Sequence, residues 1–399
     1  MTAVQSVRRH QKAARSRRGR WLRGLGWTLL VLALLFYGGG GWYFSEQLRT
    51  DLLASKPHQP EYRATVAEIG TDTVTLTQGD PADGELFNPG HYGLNWENGY
   101  GTVDEIINRT ESQVTRRFTP LGGESLSAGT AVDVDFWVYP EDFRQAVDLD
   151  FEDVEYPSPL GPMDAVFVSG SSDTWVVAVH GRNASPRETL RIAQPLSAAG
   201  YPILAITHRN DRDQPADPSG FLQFGATEWE DVEGAVEYAV AQGANRIVLV
   251  GLSSGAAAAF SFVEKSGLAD RVSGIVFDSP NIDIGATVTY GASQRKLPLI
   301  GLPVPSSLAW AAKTISSVRF GVDWGDLDYI SRADRLNAPV LVIHGTGDAS
   351  VPIATSRRLA ESRPDLVTLV EFEGAAHVQS WNADPGRYEE TVLTFINGL

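Results

Sequence analysis

The chain has 399 residues, 43% of them hydrophobic and 21% charged, a composition that supports one large globular domain or two smaller ones. It contains no cysteine, which excludes disulfides, thiolate metal sites and thiol catalysis. The formal charge is −16, yet residues 1–23 hold eight Lys or Arg and no acid, so the chain beyond them carries −24; a body this acidic repels polyanions and argues against a nucleic-acid partner.

The first element follows the basic tail, residues 1–23. From Leu25 to Phe44 no residue is charged. As a helix this run spans about 30 Å, the thickness of a bilayer core. Trp27, Trp42 and Tyr43 stand near its ends, where amphipathic rings favour the interface. The spacing predicts a transmembrane signal anchor over 24–44, with the N-terminus cytoplasmic and the rest of the chain on the far side of the cell membrane. A cleaved signal peptide is the alternative, although no A-x-A-like site follows closely.

Residues 45–60 are polar, contain two prolines and read as a stalk. Residues 61–150 read as a small β-rich accessory domain. "YRATVAEI" and "TDTVTLTQ" alternate around Gly70 as a hairpin would, and "AVDVDFWVYP" alternates again. A Gly-rich aromatic stretch, "NPGHYGLNWENGYG", lies between them.

Residues 151–399 change rhythm. "TWVVAVHG", "YPILAITH", "ANRIVLVG", "VSGIVFDSP" and "APVLVIHG" are apolar runs of strand length bounded by turn residues. Helical patterns alternate with them, including "PRETLRIAQPLSAAG" and an amphipathic helix opening at Thr227. Strands buried on both faces imply a mostly parallel sheet covered by helices, an α/β architecture whose chemistry gathers at the carboxyl ends of the strands. Residues 281–338 are too long for a loop and predict a mostly helical cap. In "HRNDRDQP", Arg209 or Arg212 is either a partner for a substrate carboxylate or part of a solvated loop.

The pentapeptide "GLSSG", residues 251–255, follows one apolar run and opens an Ala-rich helix. That context suits a nucleophile elbow: small flanking residues permit a tight turn that lifts the Ser253 oxygen above the sheet. The Ser254 N–H, at the start of the helix, is placed to bind developing negative charge. Only two of the seven histidines follow Ser253. His344 ends a strand and reads as structural, whereas His377, in "EFEGAAHVQSW", sits on a loop and reads as the base. Asp348, just beyond the strand 340–344, is the orienting acid, with Asp278 the alternative; Ser253, Asp348, His377 is the chain order this architecture demands.

These motifs resemble the α/β-hydrolase superfamily. "HGRNAS" at 180–185 is similar to its oxyanion loop, which implies a second backbone donor at Arg182; "HGTGDASVP" resembles the acid loop and "GAAH" the histidine loop. The whole chain further resembles membrane-anchored actinobacterial hydrolases, through the anchor, the accessory region and "HVQSWN". The sequon at Asn183 falls in this oxyanion loop, so either the compartment leaves it unglycosylated or the loop lies elsewhere; an extracytoplasmic bacterial setting fits. The resemblance implies a serine hydrolase of carboxylic esters or thioesters, without cofactor or metal, acting on a small or lipid-like acyl substrate. A peptidase or acyltransferase of the same fold, or a silent scaffold, are the rival readings. Oligomeric state is not legible.

Overall fold

The computed structural model describes residues 21, 23–57, 59, 61–79, 84–140, 142–297 and 301–399. The basic tail through Arg20, with His10, and His58 lie outside the described residues. The described chain forms two compact units, one of residues up to Leu52 with Ala292–Trp324, the other of Leu53–Gly291 with Gly325–Leu399.

The first unit is built on a continuous helix, Arg23–Leu53, long enough and, over an 18-residue stretch of mean hydropathy 1.5, apolar enough to cross a membrane. Its apolar side chains from Leu25 to Tyr37 are exposed. A second helix, Ser306–Phe320, packs against its C-terminal half. Glycine is required there: a Cβ on Gly41 would stand 2.8 Å from Ile315 Cδ1 and 3.3 Å from Ala311 Cβ. Arg319 closes the contact, lying 3.8 Å over the Trp42 ring and donating to Glu46 at 2.8 Å. The expected cap is therefore divided. Its central helix belongs with the N-terminal helix, because the glycine notch admits it.

The second unit begins with a closed six-stranded barrel: β1 (Ala64–Ile69), β2 (Thr73–Gln78), β3 (Tyr92–Trp96), β4 (Gly99–Arg109), β5 (Gln113–Gly123) and β6 (Ala131–Asp135), in the order β1-β2-β5-β4-β3-β6. Val66, Val74, Leu76, Leu94, Val114 and Val132 fill it. The hairpin β1–β2 and strand β6 follow the alternation in the sequence. The glycine-rich stretch supplies β3 and the start of β4. Gly93 and Gly101 mark close backbone approach, since added Cβ atoms would lie 2.3 Å from the Val138 carbonyl oxygen and 2.5 Å from that of Thr119. Arg116 is fully buried at the barrel wall and donates to the carbonyls of Leu86, Asn88, Gly90 and Asp104.

An eight-stranded sheet follows: β7 (Phe151–Tyr156), β8 (Met163–Val168), β9 (Thr174–Val179), β10 (Ile203–Ile206), β11 (Arg246–Leu252), β12 (Val272–Asp278), β13 (Val340–Gly345) and β14 (Val367–Phe372), in the order β14-β13-β12-β11-β9-β10-β8-β7. Strands β9 to β14 are parallel to their neighbours, and β8 and β7 add an antiparallel edge. Helices Trp229–Ala241, Ser254–Lys265 and Ile353–Ser362 cover one face, burying Val232, Val236, Phe260 and Leu359. Ala193–Ala198 and Pro385–Asn397 cover the other, burying Leu196, Tyr388 and Val392. The helix expected to open at Thr227 begins at Trp229, because the Thr227 hydroxyl donates to Asp217 at 2.8 Å instead of capping it.

The stretch read as a stalk is partly structured. It continues the helix to Leu53, which is 1% exposed and whose carbonyl accepts from the Leu222 N–H at 2.8 Å. The Ser55 hydroxyl donates to the Asn210 carbonyl at 2.7 Å, and the Lys56 N–H donates to the Asn183 side chain at 2.8 Å.

Candidate active site

Ser253 sits between β11 and the helix Ser254–Lys265 with φ 50° and ψ −115°, a conformation that costs a non-glycine residue about 1–3 kcal/mol. Its neighbours enforce it. The Ser253 N–H donates to the Asp278 carbonyl at 2.9 Å, and the Ser253 carbonyl accepts from the N–H groups of Asn281 at 2.9 Å and Ala256 at 3.2 Å. A Cβ on Gly255 would lie 2.2 Å from the Val179 carbonyl oxygen, and one on Gly251 would lie 2.8 Å from the Ala256 nitrogen. The turn thus admits no larger residue on either side.

His377 lies on the loop after β14. Its Nε2 is 2.8 Å from Ser253 Oγ and its Nδ1 is 2.7 Å from Asp348 Oδ2. Asp348 follows β13, is almost wholly buried, and accepts through Oδ1 from the N–H groups of Ser350 (2.7 Å) and Val351 (2.8 Å). Burial pushes its carboxyl up, but hydrogen bonds from His344 and His377, the charge of His377 and the Val351 N–H outweigh burial and hold it well below the usual carboxylate range.

Asp278, the alternative acid, does not meet His377. It is fully buried, accepts from the Tyr388 hydroxyl at 2.9 Å and from the Ser279 hydroxyl at 3.1 Å, and burial pushes its carboxyl up. Ser279 in turn accepts from the Val378 N–H at 3.0 Å, so Asp278 supports the histidine loop from below.

Ser254 opens the helix, where its N–H has no intrahelical carbonyl to meet. Arg182 lies in the loop after β9. That loop comes close to Ser253: a Cβ on Gly181 would stand 3.1 Å from Ser253 Cβ. The Gly181 N–H donates to Glu188 Oε2 at 2.7 Å, and Trp137 Nε1, from the segment after β6, donates to Glu188 Oε1 at 3.2 Å. Arg187 pairs with Asp135 at 3.0 Å, and Arg191 donates to the Val378 carbonyl at 2.9 Å. The barrel also reaches the histidine loop, through the Tyr92 hydroxyl to Gln379 at 2.9 Å and the Asn382 amide to the His91 carbonyl at 2.8 Å. None of these supporting residues was evident in the sequence. The available signal was three charges in "PRETLR", a segment that is wholly buried and so must pair them.

Arg209 is also internal. It is 2% exposed and donates to Asp231 (2.8 Å) and Glu230 (2.8 Å), so it is neither solvated nor placed for a substrate.

Among the described residues one group could hold a metal: nitrogen and oxygen atoms of His180, His208 and Asp211 lie within 4.8 Å of one another. Hydrogen bonds already engage it. His180 Nδ1 faces the Gly181 carbonyl at 2.8 Å and Nε2 faces Asp211 at 2.9 Å. Both ring nitrogens thus meet acceptors, which suits an imidazolium. Burial alone would lower the His180 pKa, but the Asp211 charge and hydrogen bond raise it.

A family model described as "Alpha/beta hydrolase family" matches residues 165–391. The chain belongs to the alpha/beta hydrolase family. A second model, a domain of unknown function (DUF8805), matches residues 65–135, the barrel. The esterase Pf2001 of Pyrococcus furiosus is similar at TM-score 0.50 and 19% identity over 65% of this chain and 94% of that one. A bromoperoxidase from Bacillus anthracis has TM-score 0.43 and 19% identity over 62% of this chain and all of that one. At 19% identity the likeness to Pf2001 is one of fold. No curated protein matches the chain.

Proposed function

We propose that this alpha/beta hydrolase is a membrane-tethered serine hydrolase that cleaves a carboxylic ester or thioester through an acyl-enzyme. The observation that carries the reading is the unbroken chain Asp348–His377–Ser253, at 2.7 and 2.8 Å, on a strained elbow. Ser253 Oγ attacks the carbonyl carbon as His377 Nε2 takes its proton. The N–H groups of Ser254 and Arg182 hold the oxyanion. The tetrahedral species collapses, the acyl C–O bond of an ester or C–S bond of a thioester breaks, and His377 returns the proton to the leaving alcohol or thiol. Water, activated by the same imidazole, then releases the acid. Asp348 stays ionised throughout, as its four hydrogen-bond donors require.

Residues 25–44 place the enzyme in the bilayer, with residues 45–399 outside the cytoplasm. The support is the long, apolar and exposed helix and its one-sided basic flank. A packed scaffold would need no such Ser–His–Asp relay, which argues against a silent fold.

The test is labelling by a fluorophosphonate, then a panel of p-nitrophenyl esters against aminoacyl amides. Wild type should label and turn over esters, and Ser253→Ala should lose about 10³–10⁶-fold in kcat while folding normally. Preferred cleavage of the amides would replace the ester reading with a peptidase. Extraction of the native chain by carbonate, or an N-terminus found beyond residue 44, would remove the anchor.

A further inference from the structure

Within the first unit, the helix Ser306–Phe320 has a side that its partner does not cover. Leu308, Ala311 and Ile315 meet Gly40 and Gly41. Ser307, Trp310, Thr314 and Val318, three or four residues apart and so on one side of the helix, remain exposed. In a chain with 21% charged residues this row carries no charge. Trp310 is 66% exposed and Val318 87%, and Leu302, just before the helix, is 60% exposed. The outward face of a helix in water is ordinarily charged or polar. This one presents a tryptophan and a valine.

Position along the helix pair names the medium. The two helices run side by side in the same sense. The Tyr37 hydroxyl donates to Ser307 Oγ at 3.3 Å, Leu308 lies against Gly40 and Ile315 against Gly41, and Arg319 reaches Trp42 and Glu46. Tyr37 precedes the end of the uncharged run at Phe44 by seven residues, so it lies about 10 Å inside that run. The first turn of the second helix is therefore level with the apolar part of the first. Its last turn is level with Glu46, the first charge after Arg23. Amphipathic helices at a bilayer surface sit about 5–10 Å into the boundary of headgroups and acyl chains, a depth of the same order.

Charge and hydrogen bonding follow the same axis. No residue between Lys296 and Lys313 is charged, and Lys313 and Arg319 fall in the second half of the helix. The chain leading into the helix is paired with itself: the Leu297 N–H donates to the Leu302 carbonyl at 2.7 Å, and the Val304 N–H to the Arg295 carbonyl at 3.0 Å. Pro303 and Pro305 bring no N–H at all. On the exposed row, the Thr314 hydroxyl turns back to the Trp310 carbonyl at 3.0 Å. Hydrocarbon penalises unpaired donors, and these donors are paired.

We propose that the exposed row of the Ser306–Phe320 helix lies in the lipid leaflet on the catalytic side of the membrane. Acyl chains cover Leu302 and Trp310, and Thr314 and Val318 rise through the headgroup level, where an indole nearby is also favoured. This rests on the reading of residues 25–44 as a membrane anchor. The unit then holds the bilayer twice, with one helix crossing it and a second lying in one leaflet.

The absence of cysteine permits single nitroxide labels on the full chain. The variants are Leu32→Cys in the span, Trp310→Cys and Thr314→Cys on the exposed row, and Glu111→Cys in the exposed turn between β4 and β5. Each is placed in phosphatidylcholine vesicles, and power saturation compares collisions with oxygen, which partitions into acyl chains, and with a water-soluble nickel chelate. Thermal melts establish that the variants fold, and either labelled site on the row decides the question. Oxygen collisions should prevail at 32 and 310, chelate collisions at 111, and 314 should fall between. Chelate access at 310 and 314 equal to that at 111, with 32 still dry, would overturn the proposal and leave the anchor standing. Low access to both reagents at 310 would mean that protein covers the row, a second copy of the chain if dilution in lipid relieves it, and would overturn it equally. Chelate access at 32 would instead overturn the anchor reading beneath it.

Discussion

His344 hydrogen-bonds the same carboxylate oxygen that orients His377, the proposed base: its Nε2 stands 3.1 Å from Asp348 Oδ2, opposite His377 Nδ1 at 2.7 Å. The ring is fully buried, and Ser356 Oγ fixes its other nitrogen at 2.7 Å. His344 is therefore a positioning residue for the acid. His344→Phe should lower kcat by about 10-fold and cost about 1–3 kcal/mol of stability, since a buried carboxylate loses one charged-group hydrogen bond. Its pH–rate profile is the decisive readout. Weaker support for the ionised Asp348 should change the acid limb as well as the plateau, and a loss of stability alone would mean His344 only packs.

The two candidate acids separate by substitution. Asp348→Asn should lower kcat by about 10⁴, by favouring the imidazole tautomer that cannot accept the serine proton. Asp278→Asn removes no contact to His377, so its main effect should be on stability, through Tyr388 and Ser279. Steady-state kinetics on both purified proteins, beside thermal melts, checks the contrast. Equal losses of kcat would contradict the geometry.

The His180–Asp211 pair predicts a pH dependence of stability. His180 is raised above its ordinary value of 6.5, so its contribution is full below that pH and fades as pH rises through the folded value. Burial alone would raise Asp211, but the charges of His180 and His208 and their hydrogen bonds lower it from 3.8, so its contribution is full above that pH and fades as pH falls. The pair therefore stabilises most between about pH 4 and 6.5. The difference in Tm between wild type and Asp211→Asn, followed from pH 4 to 9, should be greatest in that window and shrink at alkaline pH. A difference that grew with pH, or full recovery with added zinc, would mark the cluster as a metal site.

Much of this site was legible because its chemistry is local. The elbow, the acid loop and the histidine loop each follow an apolar run, and a parallel sheet brings the ends of such runs to one edge. Glycine meant two different things, and sequence alone did not distinguish them. At 251 and 255 it flanks a sharp turn, as expected. At 93 and 101 it lies inside strands, where another backbone comes too close for a Cβ, and periodicity has no term for that contact. The supports were invisible for a related reason. Glu188, Arg187 and Arg191 lie in a segment with helical spacing, and that spacing carries no sign that residues far away in sequence, Trp137 and Asp135, meet them.

Trp137 tests whether that contact matters to catalysis. Its indole N–H donates to Glu188, which holds the Gly181 N–H in the proposed oxyanion loop. Arg187 lies over the same ring at 4.5 Å. Trp137→Phe keeps an aromatic ring and removes the donor. Glu188 then keeps one firm partner and the loop can shift, so kcat for p-nitrophenyl acetate should fall by about 10-fold with KM less affected. Glu188→Gln should act in the same direction. If Trp137→Phe leaves kcat intact, the barrel does not tune the oxyanion loop.

The last prediction concerns where the catalytic unit begins. A polar stalk could be removed without consequence, but Leu53, Ser55 and Lys56 are bound to the loops that carry Leu222, Asn210 and Asn183. A chain starting at residue 61 loses all three attachments and uncovers the pocket of Leu53, whose burial alone is worth about 1.5–3 kcal/mol. It also strips the Ser306–Phe320 helix of its partner, leaving the residues that met Gly40 and Gly41, including Leu308 and Ile315, without cover. A chain starting at residue 49 retains the attachments but also loses the partner of that helix. The two truncations should thus share a tendency to aggregate, suppressed by detergent. Only the chain starting at 61 should show, in detergent, a Tm lower by several degrees and a reduced kcat, since Lys56 braces Asn183 in the loop beside Ser253. Equal Tm values for the two would restore residues 53–60 to the role of a passive tether.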